Sequence, residues 1–294
     1  MGDLDTQRDD PFITHRGLLF TVAYEMLGSV ADAEDVLQES WLRWSDVDHS
    51  QVQNPRAYLV RIVSRQALNL LQSARRRREE YVGEWLPEPL LTSPDVADDV
   101  ELAESVSLAM LTVLETLAPV ERAVFVLREV FDLPFDEIAE AVGKSPAAVR
   151  QTAHRARDHV AERRPRQRVD AAEQAHVVSR FLRAVNTGDV QGLMDVLAPD
   201  VVLIADGGGV VQAARRPIVG ADRLATFIAS GVSQVNLRVT PWWVNGAPAV
   251  RVEVDGELYG AIGVTVEDGR ITRMFSIVNP HKLSGLGAEA ELSR

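Results

Sequence analysis

The stretch FDEIAEAVGKSPAAVRQTAHRAR (Phe135–Arg157) constrains this chain more than any other. The spacing predicts a helix that stops at Gly143, where glycine takes a left-handed turn at no steric cost. Ser145 is placed to cap a second helix, and Pro146 takes its first position, where a missing amide donor does no harm. Ala139 is small where two helices must cross, and Ile138, Val142 and Val149 fit a shared core. Such a unit is a helix-turn-helix, whose second helix enters a major groove with its N-terminal residues facing base edges. Arg150, Gln151 and His154 fall near that end, with Arg155 and Arg157 better placed for phosphates. The alternative is a plain αα-hairpin. Glycine turn, cap and arginine-rich second helix together favour DNA.

A formal net charge of −12 argues at first against a nucleic-acid partner, but the charge is unevenly spread. Residues 1–105 hold 20 acids and 10 bases, residues 106–169 hold 9 and 10, and the remainder 14 and 11. Arg75–Arg78 form one basic block. Local basic faces on an acidic protein permit DNA binding at chosen surfaces and repel it elsewhere. The absence of cysteine excludes disulfides, thiolate metal sites and cysteine catalysis. No apolar run approaches the roughly 20 residues of a membrane span, and the acidic start is no secretory signal, so the expected compartment is the cytoplasm, with no membrane partner.

Residues 11–78 read as helices. PFITHRGLLFTVAYEMLGS stops at Gly28, Ser29 is a cap candidate, and Val36, Leu37, Trp41 and Leu42 are expected on one apolar stripe. A third helix starts near Pro55. Residues 79–105 differ: positions 79–104 carry nine acids, three prolines and no base, the composition of an extended linker. Within it, EWLPEPLL (Glu84–Leu91) sets a tryptophan between acids and prolines, where an ordinary spacer needs none. Helices resume over 106–164. From 170 to 285, two helices precede short alternating runs separated by glycine and aspartate turns, which predicts an α+β domain with a curved antiparallel sheet.

Two further constellations carry chemistry. In DAEDVLQESWLRW, Asp32, Asp35 and Glu39 line one helix face, which is either merely solvated or meets a basic protein surface, since it would repel DNA. In NPRAYLVRIVSRQALNLLQSARRRR, Arg61 and Arg65 lie one turn apart on a helix ending in four arginines, and the loop before it is polar enough to contact extruded bases.

These segments, in this order, resemble regions two and four of a bacterial extracytoplasmic-function sigma factor. The resemblance covers about residues 11–160 apart from the linker. It implies that Asp32, Asp35, Gln38 and Glu39 dock on the β′ clamp helices of RNA polymerase core, with region four on the β flap. It implies that the portion holding Asn54, Arg56, Arg61, Arg65 and Arg75 melts and reads the −10 element. The helix from Ser145, with Ala147, Arg150, Gln151, His154, Arg155 and Arg157, would read the −35 element of promoter DNA.

The final third resembles the SnoaL-like branch of the NTF2-like cone fold. Sigma factors with that extension share three marks: WLPEPL in the linker (Trp85, Leu86, Pro87), a DGGG loop (Asp206, Gly207, Gly208, Gly209) and an NPxKL motif (Asn279, Pro280, Lys282, Leu283). The loop here reads DGGGV where a lysine often follows, and the late motif reads NPHKL where aspartate is usual. If those two residues interact, their joint loss is intelligible. The implied architecture is two all-α domains plus an α+β cone that contacts the chain's own linker, with no separate anti-sigma factor required. No catalytic residue, cofactor or metal is expected. An enzyme or ligand-sensing regulator is the alternative, with Asp206, Tyr259 and His281 available in the cone domain; a turn aspartate before three glycines is the simpler reading of Asp206. The glycines allow close backbone approach, as a docking site for a linker peptide needs.

Overall fold

Several helices begin where the sequence supplies an oxygen to cap them. Asp10 accepts from the Phe12 amide at 2.7 Å to start α1 (Pro11–Thr14). Ser29 accepts from Asp32 at 3.1 Å to start α3 (Val30–Ser45), and Asn54 from Ala57 at 3.1 Å to start α4 (Pro55–Glu79). The computed structural model describes residues 10–164 and 169–294, and the side chains of 74–79 and 233–234 lie outside the described residues. By packing, the chain falls into two compact units.

The first unit comprises Met1–Glu79, Val113–Arg164 and Glu291–Arg294, and the regular elements among its described residues are helices. Its centre is α2 (Arg16–Leu27), buried continuously from Leu18 to Leu27, with Thr21 and Glu25 enclosed among the apolar residues. Helix α3 buries Ala33, Val36, Leu37, Ser40 and Trp44. The expected stripe is therefore corrected at its far end: Leu42 is 55% exposed, because the buried line advances by three and four residues from Leu37 to Ser40 and Trp44. Trp44 donates its indole N–H to Asp10 at 3.0 Å and stacks on His49 at 4.0 Å.

In the same unit α7 (Pro119–Phe125) continues into a π-helical turn, Val126–Val130. Helix α8 (Phe135–Val142) ends at Gly143 with φ +66°, and α9 (Pro146–Arg163) starts on Ser145, whose hydroxyl accepts from Ala148 at 3.3 Å. Ile138, Ala139, Val142, Val149 and Ala153 are buried, closing the hairpin expected from sequence. Each fully buried Ile or Val contributes about 1.5–3 kcal/mol.

The second unit comprises Glu80–Thr112 and Pro165–Ala290. It contains α5 (Val100–Ser105), the first turns of α6 (Leu108–Leu114), α10 (Ala171–Thr187), α11 (Val190–Val196) and α12 (Ala221–Gln234). Its strands are β1 (Leu197–Asp206), β2 (Ile218–Val219), β3 (Leu237–Val244), β4 (Ala247–Val254), β5 (Glu257–Glu267) and β6 (Arg270–Ile277), in sheet order β2-β1-β6-β5-β4-β3. Strands β3 to β6 form an antiparallel meander, but β1 pairs parallel with β6, so the sheet is mixed rather than antiparallel. The reason is the long connection from β1 through α12 and three hairpin strands, which lets the chain return in either direction. One sheet face packs on the helices through Phe181, Leu193, Leu224, Val250 and Met274. The opposite face carries Val244, Ala261, Phe275 and Ile277, and the linker covers it with Leu86 and Leu108.

Candidate linker-docking site and nucleic-acid interface

Because β1 and β6 are parallel, their C-terminal ends emerge side by side. Asp206 closes β1, and its carbonyl accepts from Val278 and Asn279, just past β6, at 2.9 and 3.0 Å. Its carboxylate is wholly buried, and each of its oxygens accepts from two donors. Oδ1 accepts from the Tyr81 hydroxyl at 2.6 Å and the Gly208 amide at 3.1 Å. Oδ2 accepts from the Leu86 amide at 2.9 Å and Lys282 Nζ at 2.8 Å. A buried ion pair is tolerable only when the remaining lone pairs and protons are satisfied, and here Tyr81 and Leu86 of the linker do so together with the Gly208 amide.

Lys282 is also buried. It donates to the Leu86 carbonyl and lies 3.9 Å from the Trp85 ring centroid and 5.0 Å from that of Tyr81. Those faces attract a cation that has left water. Asn279 Nδ2 donates to the Tyr81 hydroxyl at 2.7 Å, while its Oδ1 accepts from His281 and caps the 3-10 turn Pro280–Lys282 that carries the lysine. Pro280 itself is exposed, Pro87 is buried, and Leu283 packs against the apolar cluster that holds Leu86. Gly208 sits at φ +61°, and a Cβ there would fall 2.3 Å from Asn279 Nδ2, so no side chain fits. Gly207 is buried, and Gly209 lies against Val82 of the linker.

The structure thus brings together Trp85, Leu86, Asp206, the three glycines, Asn279 and Lys282. The acid of the DGGG loop meets the lysine of NPHKL. Tyr81 escaped the sequence reading; its only signal was an aromatic hydroxyl in an acidic segment just ahead of WLPEPL. Burial, then its hydrogen bond to Asp206 and the charge on that carboxylate, push the Tyr81 phenol well above the ordinary tyrosine range. It remains a protonated donor at neutral pH.

In the first unit, Ala147, Arg150, Gln151, His154, Arg155 and Arg157 are all exposed along α9, while the Ser145 hydroxyl is engaged as cap. Arg150 lies over the Phe135 ring at 5.5 Å. His154 contacts Asp158 at 2.7 Å and Arg155 approaches Glu121 at 3.6 Å. Arg157 grips Glu129 through two bonds of 2.7 and 3.3 Å, and this partner raises its pKa further. On α4, Asn54 caps the helix, Arg56 and Arg65 are exposed, and Arg61 pairs with Glu140 of α8 at 2.6 Å. The Arg75 side chain lies outside the described residues. A cavity of about 520 Å³ opens between Gln51, Asn54 and Tyr58 on one wall and Glu137 and Glu140 on the other. On α3, Asp35, Gln38 and Glu39 face outward, Glu39 holding Arg43 at 3.1 Å, and Asp32 is partly buried in the first turn.

The chain matches the family description Sigma-70 region 2 over residues 12–77, Sigma-70 region 4 over 107–160 and SnoaL-like domain over 178–274. It is 38% identical over 285 residues to the ECF RNA polymerase sigma factor SigJ of Mycobacterium tuberculosis, covering 91% of this chain and 90% of that one. It is 36% identical to the probable ECF RNA polymerase sigma factor SigI of the same organism, covering 94% of each. The crystal structure of M. tuberculosis SigJ superimposes with a TM-score of 0.74, covering 92% of this chain and 96% of that one at 36% identity.

Proposed function

The chain belongs to the extracytoplasmic-function RNA polymerase sigma factors, and from that premise we propose that its fused SnoaL-like domain governs promoter use by holding the interdomain linker. As a sigma factor it binds RNA polymerase core and promoter DNA and directs promoter-specific transcription initiation. In this reading Asp32, Asp35, Gln38 and Glu39 meet the β′ clamp helices, and region four meets the β flap. Asn54, Arg56, Arg61, Arg65 and Arg75 open and read the −10 element, with binding energy for extruded bases offsetting unstacking costs of a few kcal/mol. Ser145, Ala147, Arg150, Gln151, His154, Arg155 and Arg157 read the −35 element. Control is built into the chain, with no separate anti-sigma factor.

The observation that carries this reading is the buried Asp206 carboxylate, which accepts from the Tyr81 hydroxyl and the Leu86 amide of the linker and pairs with Lys282. Four donors occupy its two oxygens, which suits a docking anchor and leaves a poor general base. Tyr259 and His281 are surface residues.

Transcription with purified core polymerase tests the proposal, comparing the full chain with Trp85→Ala and with a deletion of 165–294. Both changes are expected to alter promoter-dependent yield or promoter choice, while Asp35→Arg prevents capture by core. Unchanged yield and promoter choice for both linker-releasing variants would overturn it.

A further inference from the structure

A second contact between linker and cone lies apart from the Asp206 site, and of the marked motifs it uses only Leu90, the last residue of WLPEPL. The β3–β4 hairpin turns through Asn245 and Gly246, at φ +56° and +71°, the two-residue geometry that Asn-Gly favours. At a hairpin tip such an asparagine is ordinarily solvated. Here Asn245 is 1% exposed. Its backbone N–H donates to the Leu90 carbonyl at 2.9 Å, its Oδ1 accepts from the Leu90 amide at 3.0 Å, and its Nδ2 donates to the Val106 carbonyl at 2.8 Å. Gly246 N–H donates to the Thr92 hydroxyl at 3.0 Å, Thr92 N–H to the Trp243 carbonyl at 3.2 Å, and Leu91 bridges Val244 as a short antiparallel pair. Leu90, Thr92 and Val106 are all buried. The turn is also tight against the linker, since a Cβ on Gly246 would fall 2.9 Å from Ala103 Cα.

The Asn245 side-chain amide sits at a positive-φ turn position and reaches well beyond its own hairpin. Its hydrogen bonds go to segments 139 and 155 residues away in sequence. One side chain therefore ties both ends of the stretch 90–106, and leaving those buried groups unpaired is costly.

We propose that Asn245 is a positioning residue for promoter recognition, which narrows the range of −10 to −35 spacings by removing slack from the linker. The proposal rests on the reading that the fused domain acts through the linker. Residues 78–106, 29 in all, lie between the region-two and region-four matches. As a flexible coil this stretch would have an end-to-end distance of about 30 Å with a broad spread. One base pair of spacer moves the −35 element by only about 3.4 Å, which such a coil cannot sense. Pinned at Leu86 by one site and at Leu90, Thr92 and Val106 by the other, the same chain has a defined path.

Two variants test it. Asn245→Gly keeps the left-handed turn while removing the side-chain bonds, and Thr92→Val removes the hydroxyl that Gly246 uses. Each is assayed in the full chain with core polymerase on promoters whose spacer changes in single base pairs about the optimum. Hydrogen exchange is read at the Leu86, Leu90 and Thr92 amides. Wild type is expected to lose activity steeply off the optimum and to protect all three amides. Both variants are expected to gain several-fold in relative activity on off-length spacers, with Leu90 and Thr92 exchanging faster and Leu86 still protected. An unchanged spacer profile once Leu90 and Thr92 exchange freely overturns the proposal, as do unprotected Leu90 and Thr92 amides in wild type. Failure of the linker reading itself appears elsewhere, as a Trp85→Ala chain that releases Leu86 without changing transcription.

Discussion

The chain treats its cations in two opposite ways. Arginines of the helical unit that face proposed DNA surfaces are paired with carboxylates in water: Arg61 with Glu140 and Arg157 with Glu129, side chains 28–63% exposed. Lys282 of the cone unit is paired with Asp206 at 7% and 0% side-chain exposure and roofed by Trp85. An exposed pair is worth little and exchanges readily, so a phosphate can displace its carboxylate. A buried pair costs much to break because the survivor is stranded. The first arrangement suits a surface waiting for a competing anion, the second a fixed joint.

The largest expected effect comes from breaking the buried side of that contrast. Lys282→Met strands the Asp206 charge and should destabilise the cone unit by about 3–5 kcal/mol in urea unfolding. Adding Asp206→Asn to the same chain should restore part of that loss. If Lys282→Met costs no more than an exposed pair does, the contrast fails.

A middle-sized effect is expected at Tyr81. Tyr81→Phe removes a donor to Asp206 and an acceptor for Asn279, at about 1–3 kcal/mol. Its pKa is raised in the folded chain, so the docked state holds the phenolic proton more tightly than the unfolded state. The stabilisation is therefore complete below the ordinary tyrosine pKa of about 10 and is lost as pH rises beyond it. Tyrosinate absorbance should show one late-titrating tyrosine in the wild-type chain, absent from Tyr81→Phe, and docking should be level from neutral pH until ionisation begins.

The smallest effect is expected on the exposed side. Glu140→Gln should cost about 0.2–1 kcal/mol, and the difference should shrink in high salt, since the pair is screened by it. Unfolding measured at low and high sodium chloride reads both quantities. A loss that persists in high salt would place Arg61 with the buried class.

The sequence made local events legible. The turn at Gly143, the Ser145 cap and the core positions Ile138 and Val149 are set by neighbours a few residues away, where propensity and periodicity speak directly. The outward turn of Leu42 is a local misreading of one helical step, with Trp44 taking the inner place. Long-range pairing was beyond such rules. Nothing within β1 or β6 says that they lie parallel, because alternation marks a strand's faces and not its neighbour's direction. WLPEPL pointed toward a partner through its composition, yet Tyr81 and Asn245 have no periodic signature. Asn245-Gly246 reads as an ordinary hairpin tip until the linker is seen against it.

The parallel pairing of β1 with β6 also has a consequence in time. It assembles the Asp206 site from strand ends 71 residues apart, and Lys282, which completes it, follows Leu86 by 196 residues. At synthesis rates of 5–20 residues per second, roughly 10–40 s separate the appearance of the linker peptide from that of the lysine that holds it. The last helix of the region-four match ends at Arg163, 119 residues before Lys282. A nascent chain that has not yet reached Lys282 therefore carries both helical regions without the residue that closes the joint.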